Sequence, residues 1–194
     1  MKSSRVTLRS PAEIAQAREA GHLAARVLHM ITPHVQPGVS TEALDRLCHD
    51  YIVNELQVTP ANVGYLGYPK TVCTSVNHVI CHGIPSPGQV LKAGDIINID
   101  VAIIKDGWFG DTSRMYFVGE PSPLARRLVD TTYEAMCAGI AQVRPGATLG
   151  DVGHAIQTVA HRERFSVVRE YCGHGIGQIY HDEPQVLHYG RRGQ

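Results

Sequence analysis

The sequence predicts an α+β protein in which a unit of two helices followed by strands occurs twice. Three observations support this prediction: a capped amphipathic helix near the start, a Val-x-Pro-Gly segment at residues 35–38 that recurs at residues 143–146, and an alternating apolar strand that ends in an Asp-Gly turn. We expect one domain over residues 1–194, with half-repeats at about residues 10–119 and 120–194.

Each Val-x-Pro-Gly segment lies between two predicted helices. The order Ser10-Pro11-Ala12-Glu13 is that of a capping box and predicts a helix that begins at Pro11. We expect a second helix near Ser40, a third after Pro123, and a fourth that begins at Thr148 or Asp151. On the second helix one side is expected to carry the apolar residues Ala43, Leu44, Leu47, Tyr51 and Ile52.

The first unit continues through strand-like sequence to about Gly119. If the second unit has a similar length, it should extend to roughly residue 225–230. We therefore expect about 30 or more residues of the second unit, including the last strands of its sheet, to be missing after Gln194.

Composition argues against several classes of protein. Lys+Arg and Asp+Glu balance at 18 each, which predicts no nucleic-acid partner and no attraction to a membrane surface. Met1–Arg5 does not resemble a signal peptide, and no apolar run approaches the roughly 20 residues that span a bilayer. Five widely spaced cysteines without a Cys-x-x-Cys pair favour a reducing cytoplasm over a disulfide framework.

Two aspartates on a predicted β-hairpin are the first candidate site. The hairpin's first strand alternates, with an apolar face made of Ile97, Ile99, Val101 and Ile103. If Asp106 and Gly107 form a two-residue loop, Asp100 faces Ser113, and Asp111 lies diagonally across on the same face. Diagonal neighbours are roughly 7–8 Å apart, so both carboxylates could reach ions between them.

Two carboxylates held together in a partly buried sheet repel each other and need neutralisation. They share a proton, or they bind one or two divalent cations, as in co-catalytic metal sites. The alternative is a solvent-facing hairpin with ordinary surface aspartates.

Two histidines are accompanied by glycines, which let the backbone approach a ligand closely. His82 lies in Cys81-His82-Gly83-Ile84-Pro85, and His174 lies in Cys172-Gly173-His174-Gly175-Ile176-Gly177. A Cys/His nucleophilic pair is a competing interpretation of both segments, although buried structural thiols are the more common situation.

Several segments together resemble the type I methionine aminopeptidases. These segments cover nearly the whole chain in the family's order: Tyr65-Leu66-Gly67-Tyr68-Pro69-Lys70-Thr71-Val72-Cys73-Thr74-Ser75, Cys81-His82-Gly83-Ile84-Pro85, Asn98-Ile99-Asp100-Val101, Gly110-Asp111-Thr112-Ser113, Glu170-Tyr171-Cys172-Gly173-His174-Gly175-Ile176-Gly177 and His181-Asp182-Glu183-Pro184-Gln185-Val186-Leu187-His188-Tyr189. The resemblance implies the pseudo-twofold α+β pita-bread fold, with a central antiparallel sheet flanked by helices.

The resemblance also implies a site with two divalent metal ions. Asp100 would bind one metal, Asp111 would bridge both, and His174 would bind the other. His82 and His181 would be catalytic and face the scissile amide. The pocket for the methionine side chain would be lined by Tyr65, Tyr68, Cys73 and Tyr180, with the two catalytic histidines beside it.

Two features depart from the family's pattern. The family often has cysteine where Asn62 stands, so part of the pocket differs. Two glutamate ligands and a pocket tryptophan of the family have no counterpart before Gln194, which implies an incomplete metal site and little or no activity. The metal is left open, because cobalt, manganese, iron and zinc all suit such ligands.

The activity implied is removal of the initiator methionine from nascent proteins, at the ribosome or free of it, by a cytoplasmic monomer. A catalytically inactive binding protein of the same fold is the first alternative. A related peptidase that cuts before proline is the second, and the Tyr-x-Gly-Tyr-Pro-Lys segment at residues 65–70 argues against it.

Overall fold

The computed structural model describes residues 6–194, which divide into two compact units. The N-terminal unit consists of Thr7–Ser122 and Ile176–Tyr180, and the C-terminal unit consists mainly of Pro123–Gly175 and His181–Gln194. Met1–Arg5, where the sequence shows no signal-peptide features, lies outside the described residues. No helix within residues 6–194 is long and apolar enough to cross a membrane.

The N-terminal unit begins with helices α1 (Pro11–Ile31) and α2 (Thr41–Asp50). The predicted capping box is present: the Ser10 amide donates to the Glu13 carboxylate at 2.7 Å, and the Glu13 amide donates to the Ser10 hydroxyl at 3.3 Å. The Ser40 hydroxyl caps α2 in the predicted place. Both helix starts are therefore set by local hydrogen bonds that the sequence encodes.

The buried side of α2 differs from the expected one. Leu47 is 36% exposed, whereas Leu44, Cys48 and Asp45 are buried. The buried side of α2 follows the four-residue spacing of Leu44, Cys48 and Ile52, which leaves Leu47 off this side. Ile52 itself lies in the π-helical turn, Tyr51–Glu55, that continues α2. The one charged residue on this side, Asp45, is described further below.

A four-stranded antiparallel sheet follows, made of β1 (Thr59–Pro60), β2 (Val72–Val76), β3 (Ile96–Lys105) and β4 (Trp108–Phe117). Strand β3 is central: β1 and β2 pair along one of its edges, and β4 pairs along the other. Lys105 lies opposite Trp108, so Asp106 and Gly107 form the predicted two-residue loop. The register predicted from this loop is confirmed.

One face of the sheet packs against α1 and forms the core. The four apolar residues predicted for this face, Ile97, Ile99, Val101 and Ile103, are all fully buried. Gly110 on β4 allows α1 to come close, because a Cβ at this position would lie 2.2 Å from the Ala20 carbonyl oxygen. The opposite face of the sheet carries polar residues together with the apolar Ala102, Ile104 and Phe109.

The C-terminal unit contains α3 (Pro123–Ile140), α4 (Leu149–Arg162) and a two-stranded sheet of β5 (Gly173–Gly175) and β6 (Asp182–Val186). The N-cap of α4 is Thr148, and Asp151 completes its capping box.

The two Val-x-Pro-Gly segments have the same local conformation. Gly38 and Gly146 adopt positive φ angles of 89° and 87°, and each is followed two residues later by the hydroxyl that caps the next helix. A glycine suits this position because other residues rarely adopt positive φ. The duplication inferred from the sequence stays a prediction.

Candidate active site

Asp100 and Asp111 lie on the face of the sheet that is turned away from α1. Asp100 is opposite Ser113 and Asp111 is opposite Ala102, so the two aspartates are diagonal neighbours. Both side chains are half-buried. Burial, the charge of the neighbouring Asp111 carboxylate and a hydrogen bond between the two carboxyl groups, which the protonated Asp100 donates, raise the pKa of Asp100 to about 7. The pair thus carries more negative charge than its surroundings neutralise, which is the chemistry that a divalent cation fits.

Cys73 lies directly across from Asp100 on β2. Burial is the main cause that raises the pKa of the Cys73 thiol to about 11, and burial together with Asp100 also raises the pKa of Cys81. A thiolate is therefore disfavoured at neutral pH at both positions. The interpretation of Cys81 and His82 as a nucleophilic pair gains no support from these environments.

An aromatic cluster lies beside the acidic pair in the N-terminal unit. The ring of Tyr180 stacks on Phe109 at 5.0 Å and meets the edge of Tyr65 at 4.9 Å. Its hydroxyl donates to the Asn62 side-chain oxygen at 2.8 Å. Tyr180 is buried among Ala61 and other small or apolar side chains. This cluster forms an apolar wall with one internal polar contact.

Tyr68 has a structural hydrogen-bonding role. Its hydroxyl donates to the carbonyl oxygens of Val72 at 3.1 Å and Gly83 at 3.0 Å. It thereby joins the start of β2 to the loop that carries His82. Burial is the main cause that raises the pKa of Tyr68, so the hydroxyl stays a donor.

His82 is fixed by a close backbone contact next to it. The Thr74 amide donates to the Gly83 carbonyl at 2.8 Å, and a Cβ on Gly83 would lie 2.1 Å from the Thr74 carbonyl oxygen. Only glycine fits there, which explains the His-Gly order. His82 itself has a positive φ of 56°.

His174 and His181 lie together in the C-terminal unit, with ring centroids 4.3 Å apart. His174 Nδ1 is 2.9 Å from the Gly175 carbonyl oxygen. Because a carbonyl only accepts, Nδ1 carries the proton and Nε2 has the lone pair that a metal needs. Gly175 is required here, since a Cβ would lie 2.1 Å from the Glu183 carbonyl oxygen.

The predicted site residues thus form two sets, each within one unit. Asp100, Asp111, Tyr65, Tyr68, Cys73, His82 and Tyr180 belong to the N-terminal unit, and His174 and His181 belong to the C-terminal unit. Over residues 6–194, no group of three or more His, Cys, Asp and Glu side chains is arranged as a metal cluster. The donors present, carboxylates and an imidazole with a fixed tautomer, are chemically suited to divalent transition metals.

Sequence reasoning missed two residues near this site. Phe109 lies two residues before Asp111 on β4, so strict alternation could have placed it on the same face. Asp45 also had a signal, because it is a charged residue on the buried side of an amphipathic helix.

Comparison with known proteins agrees with this geometry. The model of metallopeptidase family M24 matches residues 15–194. The methionine aminopeptidase of Escherichia coli K12 is 54% identical over 187 residues, which cover 96% of this chain and 71% of that protein.

Solved structures agree as well. The crystal structure of methionine aminopeptidase from Rickettsia prowazekii superimposes with a TM-score of 0.95 at 51% identity, covering 98% of this chain and 76% of that chain. An X-Pro aminopeptidase from Thermotoga maritima, 19% identical with a TM-score of 0.75 over 93% of this chain and 50% of its own, shares the fold alone. The α+β pita-bread fold expected from the resemblance is thereby confirmed, and the chain belongs to metallopeptidase family M24 and, within it, to the methionine aminopeptidases.

Proposed function

We propose that this chain removes the initiator methionine from nascent proteins by metal-dependent hydrolysis. The observation that carries the proposal is the half-buried Asp100–Asp111 pair, whose pooled negative charge fits a divalent cation, in a member of a methionine aminopeptidase family.

Each polar residue has a proposed role. Asp100 would hold one metal ion, Asp111 would help to hold both, and His174 would hold the second. When bound, the metal ions supply Lewis acidity and activate a water molecule. His82 and His181 face the scissile amide, where an imidazole donates a hydrogen bond to the oxygen on which charge develops. The fixed tautomer of His174 supports its part of this proposal.

The substrate's first side chain is proposed to lie against the aromatic wall. Tyr65 and Tyr180 supply the apolar surface, and Cys73 and Tyr68 close the side near the acidic pair. The contact of 4.9 Å between the rings of Tyr65 and Tyr180 supports their placement in one apolar wall. The methionine side chain, a flexible and unbranched thioether, packs well against such an apolar surface.

We expect turnover that depends on added metal, because the proposed roles of Asp100, Asp111 and His174 are to hold it. Manganese, cobalt, iron and zinc are all compatible with these donors. The chain is further proposed to act as a cytoplasmic monomer on nascent chains, at the ribosome or free of it.

Titration calorimetry with Mn²⁺ tests the ligand assignment. Asp111→Asn and His174→Ala should each weaken Mn²⁺ binding at least about tenfold, because each removes a ligand. Asp106→Asn is the matched control: it removes the same charge from the exposed tip of the same hairpin and should leave affinity unchanged. Equal affinity in Asp111→Asn and in the unchanged chain would refute the assignment.

A coupled assay on the peptide Met-Ala-Ser with added Mn²⁺ tests the reaction. We expect release of methionine that disappears on chelation and in Asp111→Asn, and no release of the first residue from a Gly-Pro peptide. Metal-independent release, or Mn²⁺ binding with no release at any metal concentration, would contradict the hydrolase and favour the binding protein of the same fold.

A further inference from the structure

Asp45 on α2 is a buried carboxylate that takes no part in the proposed chemistry. It is 5% exposed, and its Oδ1 accepts hydrogen bonds from the backbone amides of Thr71 at 2.8 Å and Val72 at 3.0 Å. Burying a charged group is costly unless hydrogen bonds or ion pairs compensate for its lost hydration. Those contacts fix the backbone at the start of β2.

The Thr71 backbone is held on its other side by Asn62. The Asn62 side-chain amide donates to the Thr71 carbonyl at 3.1 Å, and the Asn62 side-chain oxygen accepts from the Tyr180 hydroxyl at 2.8 Å. All three residues are buried, with exposures of 3% for Thr71, 7% for Asn62 and 8% for Tyr180. A continuous line of hydrogen bonds therefore runs from Asp45 through Thr71 and Asn62 to Tyr180.

Asn62 makes a hydrogen bond at each end of its side-chain amide. Its nitrogen donates to the Thr71 carbonyl and its oxygen accepts from the Tyr180 hydroxyl, so both functions of the amide are used in this line. The ring of Tyr180 stacks on Phe109 and meets the edge of Tyr65, contacts that tolerate sliding along the ring plane. The hydrogen bond from the Tyr180 hydroxyl to Asn62 is directional and restricts this sliding.

We propose that Asp45 and Asn62 are positioning residues that act through Thr71 to hold Tyr180 in place in the methionine side-chain pocket. This inference rests on the proposed function, because it takes Tyr180 as a wall of that pocket. Asp45 does not line the aromatic wall itself. An effect of Asp45 on methionine binding that disappears when the Tyr180 hydroxyl is removed passes through the hydrogen-bonded line.

Binding of free L-methionine, measured by titration calorimetry on the folded chain, tests the proposal without any need for turnover. Asp45→Ala should weaken methionine binding about five- to tenfold, as expected when the two amides it held lose their acceptor. Asp45→Asn keeps an acceptor oxygen and should stay within about twofold of the unchanged chain. Asp50→Asn removes an exposed carboxylate from the same helix and should have no effect.

A double-mutant cycle separates positioning from general destabilisation. Tyr180→Phe removes the hydroxyl at the end of the line, so adding Asp45→Ala to it should weaken methionine binding little further. If Asp45→Ala does not fold, the same cycle is carried out with Asn62→Ala and Tyr180→Phe. Circular dichroism at the temperature of the titration verifies that each variant is folded.

Three results would overturn the proposal. The first is unchanged methionine affinity in folded Asp45→Ala. The second is an equal loss of methionine affinity in Asp45→Ala and Asp45→Asn. The third is a double variant whose loss of methionine affinity equals the product of the two single losses. A different result identifies failure of the proposed function: if the unchanged chain does not bind methionine while still binding Mn²⁺, the assignment of Tyr180 to a methionine pocket is wrong, and the positioning role fails with it.

Discussion

Replacement of Asp100 by asparagine should stabilise the metal-free protein at neutral pH. The raised pKa means that the folded chain holds the Asp100 proton up to about pH 7, whereas the unfolded chain releases it near its ordinary value of 3.8. The stabilising effect of this proton is complete below about pH 4 and is lost as pH rises to about 7. Asparagine is a neutral side chain of the same shape and suffers no such loss.

The size of the effect follows from the same shift. Raising the pKa of Asp100 from 3.8 to about 7 corresponds to about 4 kcal/mol of folding free energy. Because Asp100 is only half-buried, and because the pair with Asp111 can relax toward solvent, we reduce this to roughly 2 kcal/mol at pH 8. At pH 4 the two proteins should differ by less than about 0.5 kcal/mol.

Urea unfolding in the presence of a chelator, at pH 4 and at pH 8, measures this difference. Asp106→Asn is the control, since Asp106 is exposed at the hairpin loop and should change the free energy of unfolding by less than about 0.5 kcal/mol at both pH values. Added Mn²⁺ should reverse the order and favour the unchanged chain. If Asp100→Asn destabilised the metal-free protein at pH 8, the like-charge explanation of the acidic pair would be refuted.

Two substitutions test the packing and the helix caps by urea unfolding. Gly110→Ala should lower the free energy of unfolding by about 2–3 kcal/mol, because the new methyl would lie 2.2 Å from the Ala20 carbonyl oxygen. The control, Gly21→Ala on the facing helix, meets nothing within 4 Å and should stabilise the protein by up to about 1 kcal/mol. Equal stability of the two variants would contradict the close approach of α1. Thr148→Ala removes the cap hydroxyl of α4 and should cost about 1 kcal/mol, and no loss would show that Asp151 alone maintains the helix start.

Local features of this protein were predictable from the sequence. The two-residue Asp-Gly loop and the alternation of the strand before it determine which residues face each other, so the diagonal placement of Asp100 and Asp111 followed without any long-range information. The capping box at Ser10 was predictable for the same reason, since its partners are three residues apart.

The sequence by itself thus determined the hairpin register, the helix starts and, through its motifs, the family. Only the tertiary structure decided that Asn62 meets Tyr180, 118 residues away, and that Asp45 is buried against Thr71. These contacts join segments that are distant along the chain, and no local pattern encodes a distance between them. Their geometry results from how α1 and α2 pack on the sheet, which a sequence period does not specify.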